Sequence, residues 1–134
     1  MIIMMLLKPK KKLIKKNIII SAAADGIGWC IAKLCLDEGA NVYISDINNK
    51  KIEKIKKHKK YDKSLFITKI DSSNHDEVKK YFLNIRKKIK KIDALINNIG
   101  IAGPTGKLQN LKIDEWIKTI NTNINSHFFY SKYA

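Results

Sequence analysis

Asn17-Ile18-Ile19-Ile20-Ser21-Ala22-Ala23-Ala24-Asp25-Gly26-Ile27-Gly28 places a β-branched run, a turn of small residues and a glycine pair in direct succession. The first five residues read as a short strand buried on both faces, as in a parallel sheet. The run breaks over Ala22–Gly28, and helical spacing follows from Ile27 to Glu38, where Gly39 stops it. Ile27, Ile31, Leu34 and Cys35 are the expected inner face of that helix. Glycine lets a backbone approach a pyrophosphate closely, and a helix N-terminus offers free N–H groups and positive potential. Asp46 lies 18 residues beyond Gly28 and closes a second strand, Asn41–Asp46. A carboxylate there can accept both hydroxyls of a ribose. The same residues also admit a bare strand–helix turn, with Asp46 as a cap or turn acid.

Outward from this unit the alternation continues. Ile52 and Ile55 mark a short, lysine-rich helix, and Ser64–Ile70 is a third strand ending at Asp71. Ser73 or Asn74 can cap the next helix, whose first turn carries Asp76 and Glu77. Its apolar face is Val78, Tyr81, Phe82, Ile85 and Ile89. Asp93–Asn98 is a fourth strand, Gly100–Gly106 a loop, and Asp114 begins a last helix running to the end of the chain. Trp116, Ile117, Ile120, Ile124 and Phe128 are its expected apolar side. The order β-α-β-α-β-α-β-α predicts parallel strands, right-handed crossovers and helices on both faces. At 134 residues the chain is expected to be one domain, 1–134.

Composition narrows the classes. Hydrophobic residues make up 45% and charged residues 29%, which favours a folded domain over disorder. The formal charge is 27 − 12 = +15, and Arg86 is the sole arginine. The lysines fall in Lys8–Lys16, Lys50–Lys63 and Lys79–Lys91, interleaved with isoleucines, so they read as solvated helix faces. Salt-sensitive polyanion binding is expected in vitro, with no specific nucleic-acid partner. No apolar stretch approaches the ~20 residues that cross a bilayer. Met1–Leu7 lacks the flanks of a signal peptide, so a cytoplasmic location is expected. Cys30 and Cys35 make neither a zinc site nor a disulfide framework and read as helix-packing groups. His58, His75 and His127 have no metal spacing.

At this point the pattern resembles the short-chain dehydrogenase/reductase family. Its first-turn motif Thr-Gly-x-x-x-Gly-x-Gly reads here as Ser21 to Gly28, with Ala22 in place of the first glycine. Its Asp after the third strand corresponds to Asp71, with Ser72 beside it. Its Asn-Asn-Ala-Gly corresponds to Asn97-Asn98-Ile99-Gly100, and its Trp-to-Asn helix to Trp116 and Asn123. The resemblance covers the chain from about Lys16 onward. It implies a Rossmann-type α/β/α fold with a parallel sheet, incomplete at about four strands in the order 3-2-1-4, with strand four at an open edge.

The resemblance also implies a site. Cofactor contacts fall on Ala22, Ala24, Asp25, Gly26, Ile27, Gly28, Asp46, Ile47, Asp71, Ser72, Asn98 and Gly100, and Asn123 is a member of the catalytic tetrad. The family's serine and Tyr-x-x-x-Lys elements follow the Asn helix and have no counterpart in these residues. Tyr130, Ser131, Lys132 and Tyr133 read as ordinary helix residues, because the position four after Tyr130 is Ala134. The expectation is therefore the amino-terminal portion of an oxidoreductase moving hydride between nicotinamide and a small alcohol or ketone. Competing readings are an inactive dinucleotide-binding module or half of a split enzyme, and a basic nucleic-acid binder. Asp46 and Asp25 favour NAD over NADP, and Lys50 and Lys51 stand against them. The family's homo-oligomer, built on the Asn helix, would use Trp116, Phe128, Phe129 and Tyr130, which fit core packing equally.

Overall fold

The computed structural model describes residues 11–134; Met1–Leu7 and the first of the Lys8–Lys16 lysines lie outside them. The chain runs β1 (Asn17–Ile20), α1 (Gly26–Asp37), β2 (Asn41–Asp46), α2 (Asn49–Lys56), β3 (Leu65–Lys69), α3 (His75–Arg86), β4 (Ala94–Ile96), α4 (Ile113–Ile120) and α5 (Ser126–Tyr133). A single 3₁₀ turn, Lys59–Tyr61, precedes β3 and another, Leu108–Asn110, precedes α4. The strands form one parallel sheet in the order β3-β2-β1-β4. This is the α/β class that the alternation predicts and the strand order that the family resemblance implies.

Alternation along β1 divides the core. Ile18 and Ile20 face α1 and α2 together with Val42, Ile44, Ala32, Leu36, Ile52 and Ile55. Ile19 faces the other way, toward Val78, Phe82, Ile85 and Tyr130 of α3 and α5. A central strand buried on both faces has no polar side to present, which is why β1 reads as three consecutive isoleucines. The ends of β1 are tied to β4 by polar groups. Asp93 accepts from the Asn17 amide at 3.0 Å and pairs with Lys16 and Lys91. The Ser21 hydroxyl accepts from the Asn98 amide at 3.0 Å.

The helix starts obey local rules. Asn48 accepts from the Lys51 amide, and Asn74 accepts from the Asp76 and Glu77 amides. α3 buries Val78, Tyr81, Phe82 and Ile85, four of the five residues of its expected face. Among the described residues, no helix is long and apolar enough to cross a membrane.

Two helix faces differ from expectation. α1 buries Gly28, Ala32 and Leu36, whereas Ile27 and Leu34 are 74% and 68% exposed. Small residues let the helix axis lie close to the sheet, and that close packing outweighs the larger apolar side chains. Of the two cysteines expected to pack, Cys30 is exposed and Cys35 is partly buried against the core. The last helix is not continuous: a π-helical segment, Asn121–Asn125, separates α4 from α5. Trp116, Ile117, Ile124 and Phe128 are exposed, and Ser126 and Tyr130 are the buried positions of α5. A wide turn adds a residue to the spiral and shifts the phase of every side chain after it.

Candidate nucleotide site

The C-terminal ends of β1, β2 and β3 open into a cleft of about 560 Å³, walled on the opposite side by α4. Ala22, Asp46, Ile47, Asp71, Ser72 and Gly100 form one wall, and Asp114, Ile117 and Lys118 of α4 form the other. A cleft at the carboxyl ends of parallel strands is where open α/β sheets bind ligands.

Ala22 begins the turn after β1 in the left-handed region, at φ +49°. An alanine there carries strain that glycine would not. Gly26 sits at φ +56° with nothing within 4 Å of where its Cβ would lie, so its backbone faces open space. At Gly28 the reverse holds. A Cβ would stand 2.6 Å from Asn98 Nδ2, 2.8 Å from Ala23 Cα and 2.9 Å from the Ala22 carbonyl oxygen. Gly28 thus sets how closely α1 packs on the strand ends, and Gly26 keeps the helix head accessible. Asn98 locks the same corner by donating from Nδ2 to the Ala22 carbonyl at 2.9 Å.

Asp46 is 9% exposed. Its Oδ2 accepts from the Ala24 amide at 3.0 Å and its Oδ1 from the Asn48 amide at 2.9 Å. These bonds fix the carboxylate while leaving it on the cleft wall. Each oxygen retains a lone pair for a further donor such as a ribose hydroxyl. Asp25, one residue from Ala24, pairs with Lys51 at 3.3 Å. The Gly26 amide and Lys51 hold the Asp25 carboxyl below its ordinary range. Of the two acids expected to favour NAD, Asp25 is thus paired with Lys51, one of the two lysines expected to oppose them, and Asp46 has no ion-pair partner among the described residues.

Ala24, Asp25, Gly26, Ile27 and Gly28 sit at the head of α1 rather than in the cleft wall. Asp71 spends its carboxylate locally, accepting from the Ser73 amide at 3.0 Å and its hydroxyl at 2.7 Å. Asn123 lies in the π segment and pairs both ways with the Ile101 peptide, accepting at 2.9 Å and donating at 2.8 Å. It fixes the loop that carries Gly100 against the helix. Asn97 donates to Ser131 Oγ at 3.1 Å, and its buried Oδ1 has no hydrogen-bond partner among the described residues. No cluster of three His, Cys, Asp or Glu side chains suited to a metal ion occurs among the described residues.

Sequence reasoning missed the α4 wall and Tyr130, a fully buried phenol bonded to Ser45 and Ser72. The available signal was Ser45, a hydroxyl inside an otherwise apolar strand that needed a buried partner.

Comparison with known proteins gives a consistent result. The chain is 33% identical over 117 residues to a 3beta-hydroxysteroid dehydrogenase of Mediterraneibacter gnavus, covering 86% of this chain and 42% of that protein. It is 29% identical over 119 residues to meso-2,3-butanediol dehydrogenase of Serratia marcescens, covering 89% and 47%. The solved structure of ElxO with NADP bound superposes with a TM-score of 0.82 at 30% identity, covering 90% of this chain and 49% of that one. The chain thus spans about half the length of the relatives it matches. The short chain dehydrogenase family profile matches residues 16–134, from the residue before β1 to the last residue of α5 and Ala134, and on that match the chain belongs to the short chain dehydrogenase family.

Proposed function

We propose that this chain supplies the dinucleotide-binding half of a nicotinamide-dependent oxidoreductase acting on an alcohol or its carbonyl counterpart. The observation that carries the reading is Asp46, a carboxylate held by two backbone amides on the wall of the cleft. Its remaining lone pairs suit the hydroxyls of an adenosine ribose. Gly26, open at the head of α1, lets a pyrophosphate approach the helix N-terminus. Ala22, Ala24, Asp25, Ile27 and Gly28 shape that turn. Ile47, Asp71 and Ser72 would flank the adenine, while Asn98 and Gly100 would border the nicotinamide-side ribose. A bound nicotinamide supplies hydride exchange. Asn123 orders the loop that carries Gly100 through its two bonds to Ile101, and the serine and Tyr-x-x-x-Lys elements that the family resemblance requires are not among these 134 residues. Turnover is accordingly proposed for the whole protein and binding for this chain.

The charges favour NAD. A 2′-phosphate would meet the Asp46 carboxylate, and Lys51, one of the two lysines expected to reach a phosphate, is already engaged by Asp25. ElxO, 30% identical and solved with NADP bound, stands against that preference.

Titration calorimetry of the chain with NADH and NADPH tests this. NADH should bind more tightly than NADPH. Asp46→Ala should weaken NADH by about thirtyfold or more, because hydrogen bonds to a charged acceptor contribute ~1.5–3 kcal/mol each. Folded protein that gives no heat with millimolar NADH refutes the reading.

A further inference from the structure

Among the described residues Tyr130 is the largest fully buried side chain, and it carries a hydroxyl. Its ring meets Phe82 edge-on at 5.4 Å and lies 6.2 Å from Tyr81, so packing alone would be served by phenylalanine. The hydroxyl lies 2.7 Å from Ser45 Oγ and 3.2 Å from Ser72 Oγ. With one proton it donates to one serine and accepts from the other. Burial pushes the phenol above its ordinary range, so the proton stays in place at neutral pH.

The two serines are not arbitrary neighbours. Ser45 precedes Asp46 on β2, and Ser72 follows Asp71 and lines the cleft. The last backbone tie between these chain segments is the Ile70 amide to the Asp46 carbonyl, at 3.0 Å. Beyond it one chain departs toward α2 and the other toward α3. The Tyr130 hydroxyl spans that divergence from beneath, reaching both from α5.

We propose that Tyr130 is a positioning residue: its hydroxyl fixes the spacing between the Ser45–Asp46 strand end and the Asp71–Ser72 turn, the two sides of the adenosine subsite. The inference rests on the dinucleotide reading above.

The test compares the unmodified chain with Tyr130→Phe, which keeps the ring, and with Ser45→Ala, which removes the same bond from its other end. AMP and NADH titrations should each weaken about three- to tenfold for Tyr130→Phe, by the same factor for both ligands, because the change lies on the adenosine side. The double variant should bind no worse than the weaker single one. Amide exchange should quicken at Ser72 and Ser73 and stay unchanged across the Val78–Ile85 helix. Ile85→Val, a core truncation elsewhere on α3, lowers stability and should leave AMP affinity within twofold. Unchanged AMP and NADH affinity in Tyr130→Phe overturns the positioning role alone. Binding of neither ligand by the unmodified chain overturns the dinucleotide reading and this inference with it.

Discussion

Replacing Gly28 by alanine adds one methyl at the point where α1 comes closest to the strand ends. The added Cβ stands 2.6 Å from Asn98 Nδ2, 2.8 Å from Ala23 Cα and 2.9 Å from the Ala22 carbonyl oxygen. The amide nitrogen can swing away, at the cost of its 2.9 Å bond to the Ala22 carbonyl, about 1 kcal/mol. The other two atoms are backbone and cannot yield without moving the turn or the helix. Overpacking of this kind costs roughly 1–3 kcal/mol. Alanine's better helix propensity returns at most about 1 kcal/mol. The net expectation is a destabilisation of about 2 kcal/mol, or a melting temperature lowered by roughly 4–10 °C for a chain of this size. NADH affinity should drop at least about tenfold, since the displaced turn carries the Asp46–Ala24 bond. Thermal unfolding followed by circular dichroism, beside NADH calorimetry, measures both. A Gly28→Ala protein melting within 1 °C of the parent would refute the close approach as a determinant of this corner.

Ala22→Gly should move stability the other way. Relief of a left-handed alanine, ~1–2 kcal/mol, exceeds the added unfolded-chain entropy of ~0.4–1 kcal/mol. A melting temperature raised by about 2 °C is expected, while Ala32→Gly in the middle of α1 should lower it; a fall at both positions would show that the turn is unstrained. Asp93 gives a pH signature. The Asn17 amide, then Lys16 and Lys91, hold its carboxyl well below the usual range. A depressed folded-state value means that its stabilisation is complete above about pH 4, the unfolded value, and is lost as pH falls through the folded one. Melts of Asp93→Asn and the parent should therefore differ most near neutrality and converge in acid. A gap independent of pH would remove charge as its source.

The fold was legible because its signals were local. Three isoleucines, a small-residue turn, a capping Asn74 and the period of Val78, Tyr81, Phe82 and Ile85 each point to one conformation. The turn at Ser21–Gly28 and the acid at Asp46 were legible for the same reason, since sequence spacing alone puts them at neighbouring strand ends. What failed was facing. In α1, hydrophobicity pointed to Ile27 and Leu34, but closeness of approach selected Gly28 and Ala32, and a pattern of apolar residues carries no measure of closeness. In the last helix the π segment at Asn121–Asn125 broke the period, so beyond it Phe128, expected to pack, lies outward and Tyr130 inward, while Trp116, ahead of that segment, is exposed as well. The hidden contacts of the site, Tyr130 with Ser45 and Ser72, join residues 85 and 58 positions apart. No local rule reaches that far.

The order β3-β2-β1-β4 places β1, the earliest of these four strands in the chain, between two later ones. As the chain leaves the ribosome, β2 can dock along one side of β1 and β3 along β2 once residue 69 has emerged. The other flank of β1 must wait for Ala94–Ile96, and with it the Asp93 anchor on Asn17. Cotranslational folding of this chain should therefore proceed in two stages, a three-stranded nucleus followed by closure of the opposite side. The unguarded flank of β1 during that interval is where a nascent-chain chaperone would have most to protect.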